Sequence, residues 1–128
     1  MTDTHSGSCL CGNVWFQVRG QLRGVIACHC NQCRKQSGHY FAATNCPDDL
    51  LTVEGLDHLR WYQSSQSAKR GFCGTCGSAL FWKDTSAAST SILTGAFDKP
   101  TGLRMERHIF CEFKGDYYEI SDGLPQEL

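Results

Sequence analysis

The sequence predicts a single, mainly β domain of 128 residues that contains one or two short helices. A length of this order is typical of one domain. Residues 14–18 carry aliphatic or Phe side chains at every second position, which is the pattern of a half-buried strand. Short segments rich in β-branched and aromatic residues then follow one another, separated by glycine-bearing turns. Only one stretch has the caps and the length of a clear helix.

The first predicted strand has two unlike faces. Val14, Phe16 and Val18 lie on one face, and Trp15 and Gln17 lie on the other. Further strands are predicted at residues 24–27, 40–44, 51–54, 59–63, 79–82, 91–93 and 108–113.

The main helix is predicted over residues 31–36. Asn31 is the expected N-cap, and Gly38 is expected to end the helix. A second, shorter helix is predicted over residues 47–50, because Pro47 is tolerated at a first helical position and two aspartates follow it.

Charge and hydropathy exclude two classes of partner. The 12 Lys and Arg residues are balanced by 13 Asp and Glu residues, so no general basic field for nucleic acid is present. Residues 1–8 are polar and contain no apolar signal segment, and no stretch approaches the roughly 20 apolar residues that span a bilayer. The sequence therefore predicts a cytoplasmic protein with no nucleic-acid or membrane partner. Residues 1–6 and 121–128 are expected to be less ordered tails.

Cysteines supply the strongest functional signal. Seven of the nine fall in three clusters, at positions 9 and 11, at 28, 30 and 33, and at 73 and 76. Thiolates this close along the chain bend readily around one ion, whereas a disulfide between them is strained. In a reducing compartment, an odd number of cysteines favours metal binding over disulfides. Zinc is the expected metal.

Zinc takes four ligands, which divides the clusters unequally. Cys9, Cys11, Cys73 and Cys76 complete a structural Cys₄ site. Joining the two halves of this site closes a long loop at a cost of about 4 kcal/mol. Structural zinc contributes about 10 kcal/mol or more, so metal binding exceeds that cost.

Cys28, Cys30 and Cys33 are then left one ligand short. Three protein ligands and an exchangeable fourth position are typical of catalytic zinc. The alternative is a closed structural site, in which a fourth protein ligand completes the coordination. The candidates for that ligand are Cys46, Cys111, His39 and His29.

Cationic residues lie beside the clusters. Arg34 and Lys35 follow Cys33, and Arg70 precedes Cys73, so these side chains either offset thiolate charge and receive carboxylates or are ordinary surface charges. His108 is a candidate proton carrier by its usual pKa alone, although a packing role is more common.

Three segments resemble the glutathione-dependent formaldehyde-activating enzyme family, which also includes centromere protein V. They read GSCLCG at 7–12, CHCNQCRKQSG at 28–38 and RGFCGTCGS at 70–78. Supporting matches are YQSS at 62–65, GAFDKP at 95–100 and HIF at 108–110, so the resemblance covers residues 7–113.

The resemblance implies a zinc-stapled folded β-tent with two zinc ions per chain. Cys9, Cys11, Cys73 and Cys76 would hold structural zinc, and Cys28, Cys30 and Cys33 would hold catalytic zinc. The implied activity is that of a carbon-sulfur lyase that joins glutathione, as co-substrate, to formaldehyde.

A small thiol and a small aldehyde are thus the expected partners, with Arg34, Lys35 and Arg70 as candidate contacts for the glutathione carboxylates. The alternative function is a non-catalytic, zinc-stabilised protein-interaction module. The sequence does not fix an oligomeric state.

Overall fold

The computed structural model describes residues 3–128, which fold into ten strands, one α-helix and three short 3₁₀ helices. The strands are β1 (Thr4–Ser8), β2 (Trp15–Arg19), β3 (Val25–Cys28), β4 (Phe41–Pro47), β5 (Leu51–Glu54), β6 (Leu59–Gln63), β7 (Ala68–Cys73), β8 (Ala79–Asp84), β9 (Ser89–Leu93) and β10 (Met105–Ile109). The α-helix α1 spans Asn31–Ser37, and the 3₁₀ helices span Asp48–Leu50, Thr94–Ala96 and Cys111–Phe113.

The strands form two sheets. One has three strands in the order β1-β2-β5, and the other has seven in the order β10-β3-β4-β9-β8-β7-β6. All neighbouring strands are antiparallel except β3 and β10, which are parallel. The predicted mainly β fold class is confirmed.

The main core lies between the two sheets. Phe16 and Val18 of β2 are buried there, as the alternating pattern predicted, and pack with Leu80, Phe81 and Ile92 of the large sheet. The rings of Phe16 and Phe81 meet edge to face, with centroids 5.6 Å apart. Burying each of these side chains contributes about 1.5–3 kcal/mol. This interface fixes the small sheet on one face of the large one.

A smaller apolar cluster covers part of the opposite face. Phe41 and Ala43 of β4 are buried with Cys33 of α1, and Trp82 of β8 packs against them. Successive residues of a strand point to opposite faces of the sheet, so β4 contributes side chains to both apolar clusters. Phe41 and Ala43 face α1, and Cys46 faces the small sheet. The second cysteine cluster therefore lies on the far side of the large sheet from the main core.

The N-cap of helix α1 lies one residue earlier than expected, and its capping atom is a sulfur. Its N-cap is Cys30, whose Sγ accepts the backbone N–H of Cys33 at 3.4 Å, so the predicted cap Asn31 is the first helical residue. The predicted end is correct: Gly38 has φ 85° and donates its N–H to the carbonyl of Arg34. No helix in residues 3–128 is long and apolar enough to cross a membrane.

Two of the observed strands, β1 and β7, were not predicted from the sequence. β1 is a polar edge strand, and it includes residues 4–6, which the sequence assigned to a tail; pairing with β2 orders it. Its Gly7 also approaches Phe16 and Ala96 so closely that a Cβ atom would overlap both. β7 lacks the alternating pattern because Lys69 and Arg70 interrupt it.

The end of the chain also differs from expectation. The strand predicted at 108–113 ends at Ile109, because Phe110 adopts φ 55° and a 3₁₀ turn follows. Residues 121–128, expected in a tail, are held by backbone hydrogen bonds: the Glu127 N–H donates to the His108 carbonyl, and the N–H groups of His108 and Cys111 donate to the carbonyls of Pro125 and Glu127.

Candidate metal centres and the adjoining cavity

The first cysteine group joins the two sheets at one end. Cys9 and Cys11 lie in the turn between β1 and β2, Cys73 is the last residue of β7, and Cys76 lies between β7 and β8. All four Sγ atoms lie within 4.8 Å of one another. The Cys9–Cys11 and Cys11–Cys73 Sγ pairs are 3.6 and 3.8 Å apart. These separations exceed a disulfide bond of about 2.05 Å by far, and all nine cysteines are free.

The sulfur separations fit a tetrahedral metal. Four thiolates about 2.3 Å from zinc form a tetrahedron with edges of about 3.8 Å, which matches the two measured pairs. Backbone N–H groups also point at sulfur: Val14 donates to Cys9 at 3.3 Å, and Thr75 and Cys76 each donate to Cys73 at 3.4 Å. Such donors stabilise thiolates, which are the form that binds a metal.

Hydrogen bonds shift the pKa values of the cysteines in this group in different directions. The Cys76 N–H, together with that of Thr75, lowers the pKa of Cys73. Hydrogen bonds from Ser78 lower the pKa of Cys76 to about 5. Both shifts favour the thiolate, which is the form that binds a metal. Cys11 is shifted the other way: although a backbone hydrogen bond from Asn13 lowers its pKa, burial and hydrogen bonds with Cys9, Cys76 and Cys73 raise it to about 11.

The second group lies where β3 ends and α1 begins. Cys28 is the last residue of β3, Cys30 caps α1, and Cys33 lies in its first turn, which brings the three Sγ atoms within 4.8 Å of one another. A hydrogen bond between Cys33 and Cys28 lowers the pKa of Cys28 and raises that of Cys33. Burial raises the pKa of Cys33 further. The group can hold a metal with three sulfur ligands.

None of the four candidate fourth ligands joins this group among residues 3–128. Cys46 is buried in the main core, and Cys111 lies in a 3₁₀ turn that bonds the C-terminal segment. The His39 Nδ1 lies 2.9 Å from the Tyr117 hydroxyl, and His29 bonds two other side chains. None of these four side chains therefore lies with the three sulfurs.

Arg70 of β7 lies against the second group. It is only 4% exposed, and it donates to Cys33 Sγ at 3.5 Å and to the side-chain oxygens of Gln36 and Gln32 at 3.0 and 3.4 Å. Its guanidinium also stacks on Phe41, with Cζ 5.1 Å from the ring centroid. A buried cation at this place would offset the negative charge that three thiolates carry when they hold a metal. The Arg70 Nε–H is buried without an acceptor.

A cavity of about 410 Å³ opens beside the three sulfurs. All three cysteines and Arg70 line it, and much of the remaining wall is apolar. A second cavity of about 330 Å³ shares Gln32 and Arg70 with the first and is also lined by Lys35. Arg34 lines neither of these cavities and instead bonds Asn31 of its own helix at 3.0 Å.

A series of buried side-chain hydrogen bonds begins at His29, which lies between two cysteines of the second group. The Tyr118 hydroxyl bonds His29 Nδ1 at 2.6 Å, His29 Nε2 bonds His108 Nδ1 at 2.9 Å, and His108 Nε2 bonds Asp122 at 2.7 Å. With Tyr118 donating, each imidazole accepts at Nδ1 and donates at Nε2. Burial, with the neighbouring His108, lowers the pKa of His29 to about 4. These bonds tie the Cys28–Cys30 turn to the C-terminal segment.

Sequence reasoning did not find this series of bonds. His29 and His108 are 79 positions apart, and Tyr118 and Asp122 lie in a segment without regular structure. The only available signal was the position of His29 between two cysteines.

Comparison with known proteins identifies the family of the chain. A sequence model of the family described as glutathione-dependent formaldehyde-activating enzyme matches residues 4–113. The chain belongs to this family. The recognition made from the three cysteine segments is thereby confirmed.

Two relatives extend the comparison. An uncharacterized lyase of Schizosaccharomyces pombe is 24% identical over 119 residues, which cover 92% of this chain and 86% of the relative. A crystal structure of a Rhodobacter sphaeroides protein is similar with a TM-score of 0.64 and 22% identity, covering 94% of this chain and 98% of that one. The second likeness supports the fold alone.

Proposed function

We propose that this protein is a zinc-dependent enzyme of the lyase type that joins a thiol to a small aldehyde such as formaldehyde. The single observation that carries the proposal is the group of three cysteines, one ligand short, that borders a cavity. Family membership and a relative named as a lyase support the reaction class. Glutathione and formaldehyde are the pair that the family's name gives.

We propose zinc for both cysteine groups because thiolates in tetrahedral geometry suit it. Cys9, Cys11, Cys73 and Cys76 would hold a structural ion. Cys28, Cys30 and Cys33 would hold a catalytic ion whose fourth position faces the cavity. The free state of all nine cysteines agrees with a cytoplasmic location.

When bound, zinc lowers the pKa of a coordinating thiol and so supplies a nucleophile at neutral pH. In the overall reaction a bond forms between the thiol sulfur and the aldehyde carbon, the carbonyl π bond opens, and the thiol proton ends on the aldehyde oxygen. No oxidant or reductant takes part. Arg70, which donates to Cys33 Sγ at 3.5 Å, would offset the thiolate charge.

The test is the rate of adduct exchange. Thiols and formaldehyde combine without a catalyst, so the exchange between free and thiol-bound ¹³C-formaldehyde should be followed by NMR at low temperature. Zinc-loaded protein is expected to accelerate the exchange, whereas Cys30→Ser should remove the acceleration. Cys46→Ala, outside both groups, is the matched control and should retain it.

An absence of acceleration with glutathione and with simpler thiols would refute the enzymatic proposal. That result would favour the alternative, a zinc-stabilised module that binds a protein partner without chemistry.

A further inference from the structure

His29 separates two of the three cysteines and points away from the cavity that they line. Cys28 and Cys30 line that cavity. Successive side chains of an extended segment point to opposite sides, and Cys30 has the extended angles φ -64° and ψ 163°. His29 is 1% exposed and packs against Tyr40, with ring centroids 4.9 Å apart. The position of the His29 side chain therefore affects the direction in which both neighbouring sulfurs point.

Side chains from two distant parts of the chain hold the His29 ring at both nitrogens. The Tyr118 hydroxyl bonds His29 Nδ1 at 2.6 Å, and His108 Nδ1 bonds His29 Nε2 at 2.9 Å. His108 is in turn held by Asp122 at 2.7 Å. The His29 backbone is fixed as well, since its N–H donates to the Ile109 carbonyl at 3.0 Å. Rotation of the ring would break both side-chain bonds in a buried place, where a lost hydrogen bond is unfavourable.

The segment that supplies Tyr118 and Asp122 is itself fixed. Lys114 Nζ donates to the Tyr118 carbonyl at 2.6 Å and lies 4.9 Å from the centroid of the Tyr118 ring. Near Asp122, the His108 N–H donates to the Pro125 carbonyl at 2.9 Å. The match to the family ends at residue 113, so Tyr118 and Asp122 lie outside it. These two side chains therefore add contacts that the matched region does not supply.

We propose that three side chains act as positioning residues for the metal at the three-cysteine group, namely Tyr118, His108 and Asp122. Through His29 they hold the adjoining sulfurs in the arrangement that binds an ion. This inference rests on the metal site of the proposed function, and it concerns how the ion is held rather than which thiol or aldehyde reacts. Loss of a residue that orients metal ligands from behind weakens metal binding by roughly 10–100-fold.

The first test removes one hydroxyl. Tyr118→Phe takes away the bond to His29 Nδ1 and keeps the ring, so zinc at the three-cysteine group should be held about tenfold more weakly. The matched control is Tyr117→Phe, which removes the hydroxyl of a tyrosine that is 59% exposed and bonded to His39. It should leave both zinc affinities unchanged. Zinc is withdrawn stepwise with a chelator, and the step that Cys30→Ser lacks belongs to the three-cysteine group.

Two substitutions at Asp122 isolate its hydrogen bond to His108. The asparagine side chain keeps an oxygen that can accept the His108 Nε2–H, so Asp122→Asn should hold this zinc within about threefold of the unmodified protein. Asp122→Ala has no acceptor and should hold it about tenfold more weakly. Equal zinc affinities in the two variants would overturn the role of this hydrogen bond.

The possible failures are distinguishable. If Tyr118→Phe and Asp122→Ala leave zinc release from the three-cysteine group unchanged, or weaken both zinc ions alike, the positioning role is refuted while the proposed function stands. If the unmodified protein releases only one ion per chain, the metal site of the proposed function fails and this inference fails with it.

A second measurement needs no substitution. Binding free energies are reciprocal, so an ion held about tenfold more tightly by the anchored His29 also stabilises the anchored segment about tenfold. Withdrawal of the second ion alone should therefore speed hydrogen exchange about tenfold at the amides that hold this segment, which are those of His108, Cys111 and Glu127. Amides of β7 and β8 should exchange at an unchanged rate. Exchange that does not depend on the second ion at the former amides would overturn the coupling.

Discussion

Loss of one cysteine should affect stability very differently in the two groups. Cys11 and Cys73 are 62 positions apart, so an ion bound at the first group closes a long loop. The entropy cost of closing it is about 4 kcal/mol. Cys30 and Cys33 are 3 positions apart, and the corresponding cost is about 1 kcal/mol. Only the first group joins the small sheet to the large one.

The expected magnitudes follow from this difference. Structural zinc contributes about 10 kcal/mol, which equals the whole stability of a typical domain, so Cys73→Ser should abolish cooperative unfolding. Cys30→Ser should reduce the free energy of unfolding by only a few kcal/mol. The serine hydroxyl can still accept the Cys33 N–H, so the helix cap is retained.

The assay is urea unfolding followed by tryptophan fluorescence, with metal content measured on the same samples. Cys30→Ser should unfold cooperatively and retain one metal ion per chain. Cys46→Ala controls for loss of a buried cysteine; it should retain both ions and cost about 1 kcal/mol. Similar unfolding curves for Cys30→Ser and Cys73→Ser would refute the division into a structural and a functional group.

Three further predictions concern residues outside the cysteine groups. Burial raises the pKa of Cys46 to about 11, so this thiol should resist iodoacetamide at pH 8 in native protein and react fully after denaturation, as measured by mass spectrometry; rapid native labelling would contradict its burial. Phe110, 47% exposed, has φ 55°, so Phe110→Gly should be about 1 kcal/mol more stable in urea than Phe110→Ala; the reverse order would show that the left-handed backbone carries no strain. Asp48 accepts bonds from Lys83 and Thr90, which hold its pKa below the usual value, so the carboxylate stabilises the fold above about pH 4 and loses that effect as pH falls through the folded pKa. Asp48→Asn should therefore cost about 0.5–1 kcal/mol in urea at pH 7, and this cost should shrink as pH falls through the folded pKa, whereas a cost that stays constant would refute the linkage.

Much of the fold was predictable because its patterns are local. The buried face of β2 follows from the alternation of Phe16 and Val18, and the end of α1 follows from Gly38. The cysteine groups were predictable for a similar reason, since closely spaced thiolates have few other uses. Counting donors then separated the four-cysteine group from the three-cysteine group.

The remaining features depend on contacts between distant parts of the chain. Arg70 has the sequence character of a surface cation, yet β7 buries it against Cys33. Cys46 was compatible with a ligand or a core residue, and the register of β4 places it in the core. His108 bonds a histidine 79 positions away and an aspartate 14 positions away, and no periodicity indicates either contact.

The central claim is that one metal centre is closed by four protein sulfurs and the other is open. X-ray absorption on zinc-loaded protein, with the metal content measured independently, tests it directly. We predict two zinc ions per chain and an average of about 3.5 sulfur ligands per ion, rising to about 4 when a binding thiol is added. One ion per chain, or four sulfurs per ion before any thiol is added, would contradict the claim.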